Sequence, residues 1–431
     1  MNAFNNFNNF NNNNSFQPMM YYNPIINCSN ISEYNNTSFI NSVLQVLSSL
    51  DCVRFWVNNL NNIRERLLSN NQCLITKELY LMYFSLYNGQ KVDSSNFILN
   101  YNNKYKSVYN KNKLYDDPYH FLFYLIDFIH AENNNPPNPN FNINILGNRK
   151  IEELKNDNFM FNLFCSFYQS TQNSIISNYF YNIIKNSIDC NFCSKLYYYT
   201  FKYVIKFDID EYKIYRNQAF PEKTIQNLNF DECFDFFTGG NVKNCSNCNQ
   251  PNSKFFSSIT GNAKILIIAL VRKNHVFKCD LDFTNKLNLY PYCNSRNNNK
   301  NTSYKLKACI SMNNQGEYFS DILINKYWYR YYKDQMIMLG DVQKEIHTFE
   351  PQLLIYELEE NNIQNTQQFN MPNNFCNNIN QVIMNNKFTN IGFMPVNNWQ
   401  QMIMQQQSNP FGLMQMNQNI LINQKINQFF Q

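Results

Sequence analysis

The chain has 431 residues, enough for two or three ordinary domains or for one large domain with extensions. Its 44% hydrophobic and 16% aromatic content supports a sizeable core, while a net charge of +5, carried by scattered basic residues, gives no case for a nucleic-acid or membrane partner. No basic segment followed by an apolar core opens the sequence, and the longest apolar runs, such as Ile265 to Val271, fall short of the roughly 18 residues a membrane span needs, so the expected setting is cytoplasmic or nuclear.

Residues 1–27 are dominated by Asn and Phe and read as a disordered extension. The run Asn35-Asn36-Thr37-Ser38-Phe39-Ile40-Asn41-Ser42-Val43-Leu44-Gln45 is a turn feeding a helix. Thr37 and Ser38 can cap that helix, and Ile40, Val43, Leu44 and Leu47 form its apolar face. A second helical pattern over residues 120–130 places Phe121, Leu125, Phe128 and Ile129 on one side; the Asn- and Pro-rich residues 133–139 end it in a loop. From Leu196 onward the pattern changes to short strands at 198–208, 263–271, 304–310, 318–324 and 353–356, with residues 294–303 as a polar insertion loop. Residues 361–431, rich in Asn, Gln and Met, read as a second disordered segment. The outline is a helical N-terminal half, a mainly antiparallel sheet half, and a cysteine module between them.

That module consists of Cys190/Cys193 and Cys245/Cys248, the two close pairs among thirteen cysteines, an odd total that does not suit a closed disulfide framework. A C-x-x-C knuckle turns both sulfurs toward one ion, and two knuckles complete a tetrahedral site. The stretch from Cys193 to Cys245 is longer than the roughly 15 to 20 residues of compact modules. Intervening strands must therefore bring the knuckles together, and residues 197–209 could supply one. The reading is structural zinc held by Cys190, Cys193, Cys245 and Cys248, with four reduced, unliganded cysteines as the alternative. Four thiolates leave no open position for catalysis at the metal.

Taken in order, these features resemble the ubiquitin-specific proteases. Residues 36–45 are similar to the family's cysteine box, N-T-C-Y-M-N-S-V-L-Q, and Asp117 through His130 to its D-A-x-E-F-L-x-x-L-L-D-x-L-H helix. The paired knuckles match its zinc ribbon, residues 263–272 its L-x-x-x-L-K-R strand, and Gln352 to Tyr356 its closing strand. Tyr304 to Ala308, Gly316-Glu317-Tyr318 and Trp328 to Tyr331 follow its histidine box. The resemblance implies an α+β, papain-like cysteine-protease fold with thumb, palm and zinc-ribbon fingers. It spans residues 28–360, with the fingers within about 186–255.

The resemblance also implies a degenerate catalytic centre. The family's nucleophilic cysteine falls on Ser38, its general-base histidine on Glu317, its orienting Asp or Asn on Tyr332, and its oxyanion-hole asparagine on Glu33. A frequent upstream histidine falls on Met312, and the glycine before the box on Asn35. Serine needs an adjacent base to become a nucleophile. Glu317, with an ordinary carboxyl pKa near ~4.3, is a poor proton donor to a leaving amine. Losing one oxyanion donor alone costs on the order of 10²–10³ in rate. The four histidines, His120, His130, His275 and His347, all lie outside the family positions.

Each residue also has a plain reading: Ser38 as a capping hydroxyl, Glu317 as an exposed turn residue, Glu33 as a charge at the helix start, and Tyr332 as packing beside Trp328 and Tyr331. Cys28, Cys52 and Cys309 read as small core thiols, with Cys28, near the box, the first to test as a stand-in nucleophile. The functional expectation is a ubiquitin carboxyl-terminal hydrolase-like protein that is an inactive pseudo-deubiquitinase, serving as a ubiquitin-binding or scaffold module. The rival is an active deubiquitinase with a non-standard site. The implied partners are ubiquitin or a ubiquitinated protein and a multiprotein complex, and the implied cofactor is structural zinc.

Overall fold

The computed structural model describes residues 31–32, 37–109, 117–138, 150–219, 227–245, 247–272, 281–294, 301–333, 335–340 and 345–359. The expected extension 1–27 and tail 361–431 lie outside the described residues, as do Cys28, Glu33, Asn35 and His275.

The first half is a helical thumb: α1 (Ser38–Ser49), α2 (Asp51–Asn61), α3 (Arg64–Ser69), α4 (Leu74–Tyr87), α5 (Ser95–Tyr109) and α6 (Pro118–Asn133). Helices Ile151–Leu154, Asp157–Thr171 and Ile175–Tyr179 follow. Helix α1 is buried on nearly every side, Phe39, Ile40 and Ser42 to Ser48 included, because it runs between the other helices and the main sheet. Helix α6 starts at Pro118, ahead of the expected 120. The Asp117 side chain accepts from the His120 amide at 2.9 Å, and Pro118 occupies the first turn, where its missing N–H costs nothing. The helix extends one turn beyond the expected 120–130 and stops at Asn133.

One carboxylate ties three of these helices. Glu132 of α6, its side chain 2% exposed, accepts from the amides of Ile75 and Thr76 at the start of α4, at 3.1 and 2.7 Å, and pairs with Lys104 of α5. It supplies the anion that the orphan amides of a helix N-terminus favour. A two-residue parallel ladder, β1 (Ile31–Ser32) on β2 (Val92–Asp93), fixes the chain ahead of α1.

The strands continue as β3 (Asn182–Cys190), β4 (Ser194–Lys202), β5 (Ile205–Asp208), β6 (Leu228–Asn229), β7 (Asn241–Lys243), β8 (Ser253–Gly261) and β9 (Ile265–Val271). Next come β10 (Leu281–Asp282), β11 (Lys286–Asn288), β12 (Ser303–Met312), β13 (Tyr318–Ile324), β14 (Tyr327–Tyr332), β15 (Gln335–Met338) and β16 (Glu350–Leu358). Four of them, in the order β4-β3-β8-β7, make the fingers. The palm is an eight-stranded sheet, β15-β14-β13-β12-β16-β9-β5 with β11 added on β12. Among the described strands of the palm, only the β5/β9 pair is parallel.

The palm is covered on both faces, which explains the unbroken apolar run of β9. Ile265, Ile267 and Ala269 join the core shared with the thumb, whereas Leu266, Ile268 and Leu270 join a second core behind the sheet. Helices Ile209–Ala219 and Phe230–Thr238 help form that second layer, with Phe234 edge-on to Phe207 at 5.0 Å. Neither helix was read in the mainly antiparallel sheet half expected from the sequence. The segment 198–208 is likewise two strands in two sheets: the chain bends at Tyr203-Val204 and passes from fingers to palm.

Candidate functional site

The N-terminus of α1 abuts the start of β13. Thr37 is the N-cap residue without making a side-chain capping bond, and Ser38 is the first helical residue. The Ser38 hydroxyl does not cap the helix; it accepts a hydrogen bond from the Tyr318 amide at 3.1 Å, joining thumb to palm. Phe39 reinforces the junction, its ring edge-on to Phe121 at 6.0 Å and to Tyr318 at 6.4 Å.

Glu317 lies immediately before β13, at the end of a tight turn. The Asn313 side chain accepts from the amides of Gln315 and Glu317 at 2.9 and 3.0 Å, and Gly316 takes a φ of +80°, which a side chain would resist. The Glu317 carboxylate is engaged rather than simply exposed. It accepts from the Tyr332 hydroxyl, from Asn313 Nδ2 at 3.3 Å, and from Lys333 Nζ at 3.1 Å. These donors, Tyr332 foremost, hold its pKa below the usual carboxylate value. Tyr332 ends β14 with its ring edge-on to Phe319 at 6.3 Å, and its hydroxyl also accepts from Asn313 at 3.2 Å. It is thus a polar member of the site, beyond the packing role expected beside Trp328 and Tyr331. The structure brings Ser38, Glu317 and Tyr332 to one junction; Glu33 lies outside the described residues. Met312 sits opposite Tyr318 in the β12/β13 ladder.

Two participants were not singled out from the sequence: Asn313, which holds both the turn and the carboxylate, and Lys333. Lys333 has a left-handed φ of 52° in the β14–β15 turn. The signals were modest: an Asn three residues before a Gly for the first, and a Lys-Asp pair between two strand patterns for the second.

Ser38 and Lys333 line one cleft between α1 and the palm, together with Asn41, Gln45 and Ser320. A serine–lysine pair can do acyl-transfer chemistry only if the amine is neutral enough to take a proton. Here the Glu317 hydrogen bond raises the Lys333 pKa and keeps it an ammonium. Glu317 in turn is fixed as an anion, a weak base with no proton to give. The described histidines are engaged elsewhere. His120 bonds Asp117 at 2.6 Å, buried His130 meets Ser174 at 2.7 Å, and His347 stacks on Phe283 at 4.2 Å. Cys52 and Cys309 are buried, as expected of core thiols, and burial pushes the Cys52 pKa up to about 12.

The second constellation sits at the finger tip. Cys190 and Cys193 flank the β3–β4 turn; Cys245 and Cys248 lie between β7 and β8. Their sulfurs all lie within 4.8 Å of one another, with Cys190 and Cys248 at 3.5 Å. Tetrahedral zinc, with Zn–S near ~2.3 Å, spaces its sulfurs by roughly 3.8 Å, so the four thiols fit such an ion. The Cys193 amide points at Cys190 Sγ (3.4 Å), as the second shell of a thiolate site requires. The strand joining the knuckles is β8, antiparallel to β3, and not residues 197–209, whose strands lie on the far side of β3 or in the palm.

Among the described residues, no helix is long and apolar enough to cross a membrane. By sequence, no curated protein matches the chain. Solved structures do match its fold. A chain of the yeast SAGA DUBm carrying an Sgf73 mutant is 18% identical, with a TM-score of 0.53 over 78% of this chain and 69% of that one. The SAGA DUB module Ubp8/Sgf11/Sus1/Sgf73 bound to monoubiquitin gives 18% identity and 0.52, covering 78% and 70%. The same module bound to ubiquitin aldehyde gives 17% and 0.51, again covering 78% and 70%. The family model described as ubiquitin carboxyl-terminal hydrolase matches residues 30–356. With that match covering most of the sequence, and with a thumb, palm and fingers arranged around the α1–β13 junction, the chain belongs to the ubiquitin carboxyl-terminal hydrolase family.

Proposed function

We propose that this chain is a pseudo-deubiquitinase: a deubiquitinase-fold protein that binds ubiquitin, or a partner in a multiprotein complex, and does not hydrolyse the isopeptide bond. One observation carries the reading. The residue at the general-base position, Glu317, is held as an anion by Tyr332, Asn313 and Lys333, a weak base with no proton of its own to give, and Lys333, which shares the cleft with Ser38, is held as an ammonium that cannot take the serine's proton. Similarity to modules bound to ubiquitin supports the binding half of the proposal, and their multisubunit composition supports the scaffold half. Structural zinc at Cys190, Cys193, Cys245 and Cys248 completes it, as the donor set of four thiolates favours that ion.

The test uses a ubiquitin carrying a C-terminal electrophile, with intact-mass detection on the full chain. No adduct is expected. An adduct on Ser38 or on any cysteine overturns inactivity and restores the active, non-standard deubiquitinase reading. Titration of labelled ubiquitin should show saturable binding, and its absence would leave only the scaffold role.

A further inference from the structure

The palm ends in β15, the outermost described strand, paired only with β14. Its four residues, Gln335-Met336-Ile337-Met338, carry no charge and no proline, the usual guards of an open edge. Ile337 is 46% exposed and Met338 61%, and Tyr327 at the far end of β14 is 56% exposed. Such an edge presents unpaired amides and carbonyls beside apolar side chains, a template for one more strand.

The sequence holds a matching segment. Residues 401–404 are Gln401-Met402-Ile403-Met404, the same tetrapeptide as β15, and the three residues after them are uncharged glutamines. Identical segments pair well in register, because each side chain meets its own kind on the same face. Distance is no obstacle. The chain leaves the palm at Glu359, after β16, and β16 lies four strand spacings from β15, about 19 Å. The residues from Glu359 to Gln401 can span about 140 Å when extended. A segment tethered to its own target competes at millimolar effective concentration, which favours it over the same segment of another copy.

We infer that residues 401–404 add to β15 as the next strand of the palm within the same chain, in register with Gln335–Met338. The added strand covers Ile337 and Met338 and lies along the same β14–β15 hairpin that carries Tyr332 and Lys333. This strand addition is independent of ubiquitin binding and needs no ligand.

Hydrogen–deuterium exchange on the full chain tests it, reading the outward-facing amides of Gln335–Met338. The wild type is compared with Ile403→Pro, which removes a donor from the added strand, and with Ile383→Pro in the near-repeat Gln381-Val382-Ile383-Met384. Both substitutions lie outside the described fold. The expected result is exchange at least about tenfold slower in the wild type and in Ile383→Pro than in Ile403→Pro, at every protein concentration. Three results would each overturn the inference: equal exchange in all three chains, release by Ile383→Pro instead, or protection that grows with concentration and so comes from a second copy.

Discussion

Asp321 and Arg330 face each other across β13 and β14, joined by two bonds: Nε to Oδ1 at 2.8 Å and Nη2 to Oδ2 at 2.9 Å. The Asp321 side chain is fully buried and that of Arg330 is 14% exposed, its guanidinium lying over the rings of Phe319 and Phe349. Burial raises the Asp321 pKa despite the adjacent guanidinium, so desolvation outweighs attraction. The pair is then a device for register more than a source of stability, with a measurable consequence. Asp321→Ala strands a guanidinium in the core at a cost of about 3 kcal/mol, the low end for a broken buried pair because Arg330 retains some access to water. Replacing both, as Asp321→Leu with Arg330→Met, is expected to be neutral or stabilising. Urea unfolding of the two variants and the wild type, at constant m-value, reads both numbers. A single substitution costing under about 1 kcal/mol, or a double as damaging as the single, would refute the reasoning.

Two further outcomes are expected. Asp127 is half-buried beside Tyr109, and desolvation of its carboxyl pushes the pKa up to about 7, above the unfolded value. The folded state therefore holds this proton more tightly, and stability falls as pH rises from about 4 to about 7 before levelling off. Asp127→Asn should stabilise the protein by up to a few kcal/mol at pH ~8, with the gain vanishing toward pH ~4; a pH-independent difference in urea midpoints would contradict it. At the fingers, metal analysis should find about one equivalent of zinc per chain, lost in Cys245→Ser, and unchanged metal in that variant would remove zinc from the site.

Much of the fold was legible wherever one side chain pattern dominated. The pattern over 120–130 lies inside the observed α6, Pro118–Asn133, and β13 carries the same bounds, 318–324, in sequence and structure. Strands β12 and β16 extend beyond the expected 304–310 and 353–356, as their ends pair with each other, Tyr304 with Leu358 and Met312 with Glu350, across a long separation in sequence. The helix Phe230–Thr238 went unread although Asn229 and Glu232 form a capping box, because Phe-rich residues suit strands equally well. At the site, the positions of Ser38, Glu317 and Tyr332 could be read from the order of motifs. Their bonding could not. The Tyr318 amide reaches Ser38, and the Lys333 ammonium reaches Glu317, only through the turn at 313–317 and the left-handed backbone of residue 333. Local pattern carries no information on such long-range closure.

The carboxylate of Glu132 bears on how the thumb comes apart. It neutralises the amide ends of α4 while belonging to α6 and pairing with α5, so none of the three helices can fray there without stranding a charge or a donor in the interior. That makes α4, α5 and α6 a single cooperative unit in native-state opening, whose amides should exchange together at one free energy. The surface that any partner meets on this side of the molecule is accordingly all present or all lost.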